Sequence, residues 1–239
     1  MASPTRVVAA LSALAAALLI AGCTATPGAV TPTSTSSPSG NDADDFDDME
    51  GTLLDDGRMF AVVTWGSSTC VPQVDTVTGN GQTVSVTLVD VDPDGPCTAD
   101  MAPRASIGAL PEGVDPTQDI TLQVTFGDAS DDVEISGSAV TGVPGESTDF
   151  LPSAGWIDDG TLVLLTWGSS GCPPVLGELE ASGNAGTATF VTEEDKACTM
   201  DMAPRATLLS FGDDVVDDDD FTLTLVGGGL DGTVSVRGD

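Results

Sequence analysis

The stretch LLDDGRMFAVVTWGSSTCVP, residues 53–72, returns as WIDDGTLVLLTWGSSGCPP, residues 156–174. Further along, CTADMAPRA (97–105) returns as CTMDMAPRA (198–206), differing only in Ala99 against Met200. DITLQVTF (119–126) is answered by DFTLTLV (220–226), and DDVEISGS (131–138) by DGTVSVRG (231–238). The order is the same in both halves and the period is near one hundred residues. Two copies at that spacing are a tandem duplication of a domain-sized unit, not a solenoid. The boundary falls in GSAVTGVPGESTDFLPSAG (137–155), rich in Gly, Pro and Ser. The expected division is repeat one over 51–138, a linker over 139–152 and repeat two over 153–239.

Each copy reads as β-structure. In QTVSVTLVDV (82–91), Val84, Val86 and Leu88 share one face and Thr83, Ser85 and Thr87 the other. Runs with a period of two, rich in Val and Thr and separated by Asp-Gly or Gly-Asn turns, are half-buried antiparallel strands. Six or seven such runs fit in each copy. The expected class is all-β: two tandem small sandwich- or barrel-like domains, each closed by a disulfide. Whether the copies fold apart or as one pseudo-symmetric unit stays open at this level.

Composition narrows the function. The 239 residues carry 38 acidic and 6 basic side chains, no His and no Tyr, for a net charge of −32. Phosphate binding needs clustered Lys and Arg, so nucleic acid is not an expected partner. The missing imidazole removes the usual general base and excludes Ser-His and Cys-His nucleophiles. Ser67–Ser68 and Ser169–Ser170 therefore read as turn residues. Any enzyme here would use paired carboxylates, as glycosidases do, and no such pair stands out among so many Asp residues. The chain is not expected to be an enzyme; a carboxylate-dependent hydrolase is the minor alternative.

Residues 1–23, MASPTRVVAALSALAAALLIAGC, hold one Arg followed by an uncharged Ala/Leu-rich run. That run has the length of a signal-peptide core and is short for a membrane span. LLIAGC at its end resembles the lipobox of bacterial lipoproteins: an aliphatic residue, two small residues, then Cys. The resemblance implies cleavage of a 1–22 signal peptide and lipid, such as palmitate, on Cys23. It also implies anchoring to the outer face of the cell membrane. Residues 23–50 follow with Thr, Ser and Pro and then acid, a composition that forms a flexible tether. The overall composition is similar to that of lipoproteins from high-GC Gram-positive bacteria.

Four further cysteines stand one pair per copy. Duplication selects Cys70–Cys97 and Cys172–Cys198, because each copy brought its own pair. Such pairs oxidise outside the cytoplasm. Trp65 and Trp167 end an apolar run beside a bridged Cys; a core role is expected, with a ligand platform as the alternative.

DVDPDG (90–95) matches the first half of a calcium loop through Asp90, Asp92, Asp94 and Gly95. Twelve positions from Asp90 stands Met101 where a bidentate Glu is needed, so Ca²⁺ is a weak expectation and no other cofactor is implied. In the CTxDMAPRA segment, Met101 and Ala102 are expected to pack inward. Arg104 and Arg205 occupy the same place in the two copies. The structural expectation is a buried pair with Asp100 and with Asp201, locking the turn. The functional alternative is a clamp for an anionic group. The functional expectation is a lipid-anchored envelope protein, a non-catalytic binding module for a protein, peptide or glycan. A calcium-responsive surface protein is its alternative.

Overall fold

The computed structural model describes residues 48–191, 196–212, 215–217 and 220–237. The 1–22 segment, Cys23, the tether to residue 47 and half of the acidic run at 213–220 lie outside the described residues. The described chain is all-β, and its strands follow the two-residue period read above. Repeat one supplies β1 (Glu50–Leu54), β2 (Met59–Gly66), β3 (Gln73–Asn80), β4 (Thr83–Val89), β5 (Ala102–Ala109), β6 (Ile120–Phe126) and β7 (Ala129–Ile135). Repeat two supplies β8 (Ser153–Asp158), β9 (Thr161–Gly168), β10 (Val175–Ser182), β11 (Ala185–Val191), β12 (Ala203–Ser210), β13 (Thr222–Gly227) and β14 (Gly232–Arg237).

The two repeats share one topology. In repeat one a three-stranded sheet, β1-β2-β5, faces a four-stranded sheet, β3-β4-β6-β7. In repeat two the equivalents β8-β9-β12 and β10-β11-β13-β14 are joined into one seven-stranded sheet by two parallel pairs, Val236 with Ala154 and Arg237 with Gly155. Most ladders are antiparallel. The exceptions are β8 with β14, and β4 with β6 and β11 with β13, the last two parallel because the intervening β5 or β12 crosses to the other sheet. Val84, Val86 and Leu88 of β4 point into the core with Leu122 and Val124 of β6 and Val133 and Ile135 of β7. Phe60 and Val62 of β2 meet them from the opposing sheet. In repeat two Trp156, Leu162, Leu164, Phe190, Phe221 and Leu223 form the matching core.

β2 is buried on both faces, as is β9. Phe60 and Val62 enter their own repeat's core, whereas Met59, Ala61 and Val63 turn outward to meet Val163 and Leu165 of β9. The described residues of both repeats thus form one compact unit, with this third apolar layer between the repeats. Equivalent residues meet across it. A Cβ on Gly155 would stand 2.2 Å from Oγ1 of its counterpart Thr52, so β1 and β8 approach closely only because one of the two positions is Gly.

The outermost strands β3 and β10 each carry a register irregularity at the same place, between Val74 and Thr76 and between Leu176 and Glu178. Bulges of this kind twist an edge away from further pairing. Among the described residues no helix is long and apolar enough to cross a membrane.

Candidate functional site

The repeated motifs are two halves of one local structure. TWGSSxC ends β2 and CTxDMAPRA enters β5, and β2 pairs with β5 from Met59–Ala109 to Gly66–Ala102. The disulfides close across the loops beyond: Cys70–Cys97 with Cα atoms 5.6 Å apart, and Cys172–Cys198 at 5.4 Å. Ser67 and Thr98 share a hydroxyl hydrogen bond of 2.8 Å, as do Ser169 and Thr199. The amide of Ser68 donates to Asp100 at 3.3 Å, and that of Ser170 to Asp201 at 3.2 Å. Thr98 and Thr199 add their hydroxyls to the same carboxylates. These donors hold both Asp100 and Asp201 at a pKa of about 2, below the ordinary carboxylate value.

Arg104 does not pair with Asp100. Nη1 donates to the carbonyl of Cys70 at 2.7 Å; Nη2 donates to the carbonyl of Trp65 at 3.1 Å and to Thr64 Oγ1 at 3.3 Å. Arg205 likewise donates to the carbonyls of Cys172 at 3.0 Å and Trp167 at 2.8 Å. A planar fork bridges two backbone acceptors that the chain reversal leaves without partners, a job a carboxylate pair would take it away from. Burial pulls both guanidinium pKa values below their ordinary range, and the Asp90 charge offsets this for Arg104. The Arg104 guanidinium also lies 5.8 Å from the centroid of the Phe126 ring. Arg104 is 7 % exposed, so it is an internal strut rather than an outward clamp.

Met101 is 64 % exposed, against the inward packing expected from its place before Pro103. The ladder register explains this: β5 begins at Ala102, so Met101 stays in the loop. Trp65 and Trp167 are half-buried. Trp167 packs on the layer between the repeats and meets Phe150 edge-on at 5.1 Å. The buried indole of the core is Trp156, at 2 % exposure, which stacks edge-on against Phe221.

Asp90, Asp92 and Asp94 are all exposed, and among the described residues no three acidic, Cys or His side chains gather as a cation site. The loop turns through a hydrogen bond from the Gly95 amide to the Asp92 carbonyl. It lines a hollow of about 370 Å³ beside the Cys70–Cys97 bridge, formed with Val71 and Pro96. A hollow of about 240 Å³ flanks the second bridge, against Pro173, Pro174 and Arg205.

A third cleft, about 320 Å³, combines residues of both repeats. It opens where the repeats join and is lined by Asp55, Asp56, Arg58, Asp149, Ser153 and Arg237, with Leu151 and Val234 among its apolar neighbours. It owes its character to a difference between the copies. The β1–β2 turn spans Asp55–Arg58 between the paired residues Leu54 and Met59, whereas the β8–β9 turn spans only Asp159–Gly160. The longer turn places Asp55 and Asp56 at positive φ (48° and 55°) and carries Asp55 inward to 4 % exposure. The amide of Asp55 donates to Ser153 Oγ at 2.8 Å. Its Oδ1 accepts from Thr148 at 2.9 Å, while Oδ2 is buried with no partner among the described residues.

Arg58 donates to the Asp55 carbonyl at 3.2 Å and approaches Asp149 at 3.5 Å. Arg237 reaches across from β14 to Asp56 at 2.7 Å. Desolvation raises the Asp55 pKa, whereas hydrogen bonds from Thr141 and Arg237 hold Asp56 at about 2. None of these cleft residues stood out in the sequence. The signal that could have found them is the extra turn residue in DDGR against DDG, together with an Arg in each half that the other half lacks.

Comparison with known protein families, curated proteins and solved structures finds no match to this chain, so its function rests on its own geometry.

Proposed function

We propose that the chain is a lipid-anchored protein of the cell envelope that works as a non-catalytic binding module, with its ligand site in the cleft between the repeats. The compartment follows from chemistry: two disulfides persist in an oxidising, extracytoplasmic setting. The anchor rests on the lipobox-like LLIAGC ending at Cys23. The reading of the cleft is carried by one observation. The residues that duplication kept, Arg104, Asp100 and their counterparts, are spent on holding their own loops. The features that differ between copies, Arg58 in the longer turn that buries Asp55 and Arg237 on β14, converge on one concave site. Clefts at the interface between domains are a preferred place for ligands. Of the three carboxylates in the cleft only Asp55 is buried, which supports binding over hydrolysis by a carboxylate pair.

Two measurements test this reading. Wild-type protein is expected to partition into detergent and Cys23→Ala into the aqueous phase; equal partitioning overturns the anchor. Detergent-solubilised protein is expected to be retained on isolated envelope material and Arg237→Ala to be released. Retention unchanged by Arg237→Ala overturns the cleft as the binding site.

A further inference from the structure

We propose that the cleft between the repeats takes a primary alkylammonium group, from a lysine side chain or a small linear amine, seated against Oδ2 of Asp55. The proposal rests on the binding reading above and names its ligand. Asp55 is 4 % exposed and lines the cleft, and its Oδ2 has no hydrogen-bond partner among the described residues. The nearest guanidinium does not supply one. Nη1 of Arg58 stands 3.8 Å from Oδ1 and is engaged by the backbone carbonyl of Asp55. A buried carboxylate oxygen left without a donor is a strong acceptor waiting for one.

Charge selects the donor. Asp55, Asp56 and Asp149 face Arg58 and Arg237, so three carboxylates against two guanidiniums leave one negative charge uncompensated. The chain as a whole carries −32 and raises the local concentration of cations. An ammonium is compact and carries three donors, enough for Asp55 Oδ2 and for the hydroxyl oxygens of Ser153 and Ser235 that line the same cleft. Leu151, Pro152 and Val234 offer an apolar wall for a methylene stem, the arrangement in which long amines bury their chain and keep their charge paired. The volume, about 320 Å³, suits a side-chain-sized group.

The test is a titration of the isotopically labelled full chain in detergent micelles with n-butylammonium, 1,4-diaminobutane and Nα-acetyl-lysine amide, with n-butanol as the uncharged control. The amides of Asp55, Arg58, Ser153 and Arg237 are expected to shift saturably with the amines and not with butanol. The lysine derivative binding more tightly than the diamine points to a peptide source, and the reverse order to a free amine. Asp55→Asn is expected to weaken binding about 10- to 100-fold, the loss of one charge-assisted hydrogen bond. Should Asp55→Asn fail to fold, the Asp55 carboxyl carbon of the wild type decides: bound ammonium lowers its titration midpoint. No saturable shift and an unmoved midpoint mean that water alone satisfies Oδ2, and equal shifts with butanol mean that charge plays no part; either overturns the proposal. Inert amines together with envelope retention lost in Arg237→Ala reject the amine while leaving the cleft as a binding site, whereas failure of both rejects the two readings together.

Discussion

Arg104 lies flat across Gly66, so close that a Cβ at position 66 would stand 2.7 Å from its Cζ. Gly168 stands in the same relation to Arg205, at 2.9 Å from its Cζ. The Gly of TWGSS and the Arg of MAPRA are therefore one feature written in two places. Gly66→Ala is expected to push the guanidinium off the Cys70 and Trp65 carbonyls and to destabilise by about 1–3 kcal/mol, the range of overpacked cores. Gly168→Ala acts in the same direction and less, because Arg205 is more exposed and has room to move. Urea unfolding of the two variants checks both sign and order.

Arg104→Ala leaves two backbone carbonyls and Thr64 without their donor. The expected loss is about 3 kcal/mol, with a Tm drop on the order of 6–12 °C for a chain of this size. Arg104→Lys is expected to recover little, since one ammonium on a flexible stem does not span two carbonyls set for a fork. A melting curve of Arg104→Ala that overlays the wild type would sink the strut assignment.

Val63 is 1 % exposed in the layer between the repeats. Val63→Asp buries a charge there and is expected to cost more than about 4 kcal/mol. The damage is not confined to repeat one. The near-ultraviolet signal of Trp156, in the core of repeat two, should be lost in the same transition as that of repeat one. Two separate calorimetric transitions, with repeat two unmoved, would show that the repeats are independent folding units.

Acid resolves two opposing sets of carboxylates. Asp100 and Asp201 have folded pKa values of about 2 against an ordinary 3.8. Their contribution to stability is full above 3.8 and is lost as pH falls toward 2. Asp55 has its pKa raised from 3.8 by burial. Its ionisation disfavours the folded state, so its penalty is absent below 3.8 and grows as pH rises through the folded value. Asp100→Asn should therefore fall below wild type at neutral pH and converge with it near pH 2. Asp55→Asn should gain on the wild type as pH rises above 3.8. Urea midpoints across pH 2–7 measure both, and parallel curves would contradict the assignment.

The alternation of Val84, Val86 and Leu88 and the one-pair-per-copy cysteines were legible because each depends on local period or on duplication alone. Both strand pattern and bridges stand as read. The partner of Arg104 was not legible. Charge pairing points along the sequence to Asp100, but the acceptors are carbonyls 34 and 39 residues away, brought there by the β2–β5 ladder. The double burial of β2 was hidden in the same way. An unbroken run such as MFAVVT marks a strand covered on both sides without saying that the second cover is the other repeat. Asp55 escaped notice because, in a chain with 38 acidic residues, an Asp in an Asp-Asp-Gly turn looks solvated; only the fold shows which one turns inward.

The apolar layer of Met59, Ala61 and Val63 against Val163 and Leu165 also bears on how the two halves are joined. A lone repeat would leave that face bare to water, and equivalent residues meet across it, as Thr52 meets Gly155, the relation that a two-fold pair of identical copies would have. The linker over residues 139–152 makes that encounter intramolecular and independent of concentration. Within one chain the two halves need not mirror one another: the long turn that buries Asp55, together with Arg58 and Arg237, is an asymmetry that identical subunits, bound to share every substitution, cannot have.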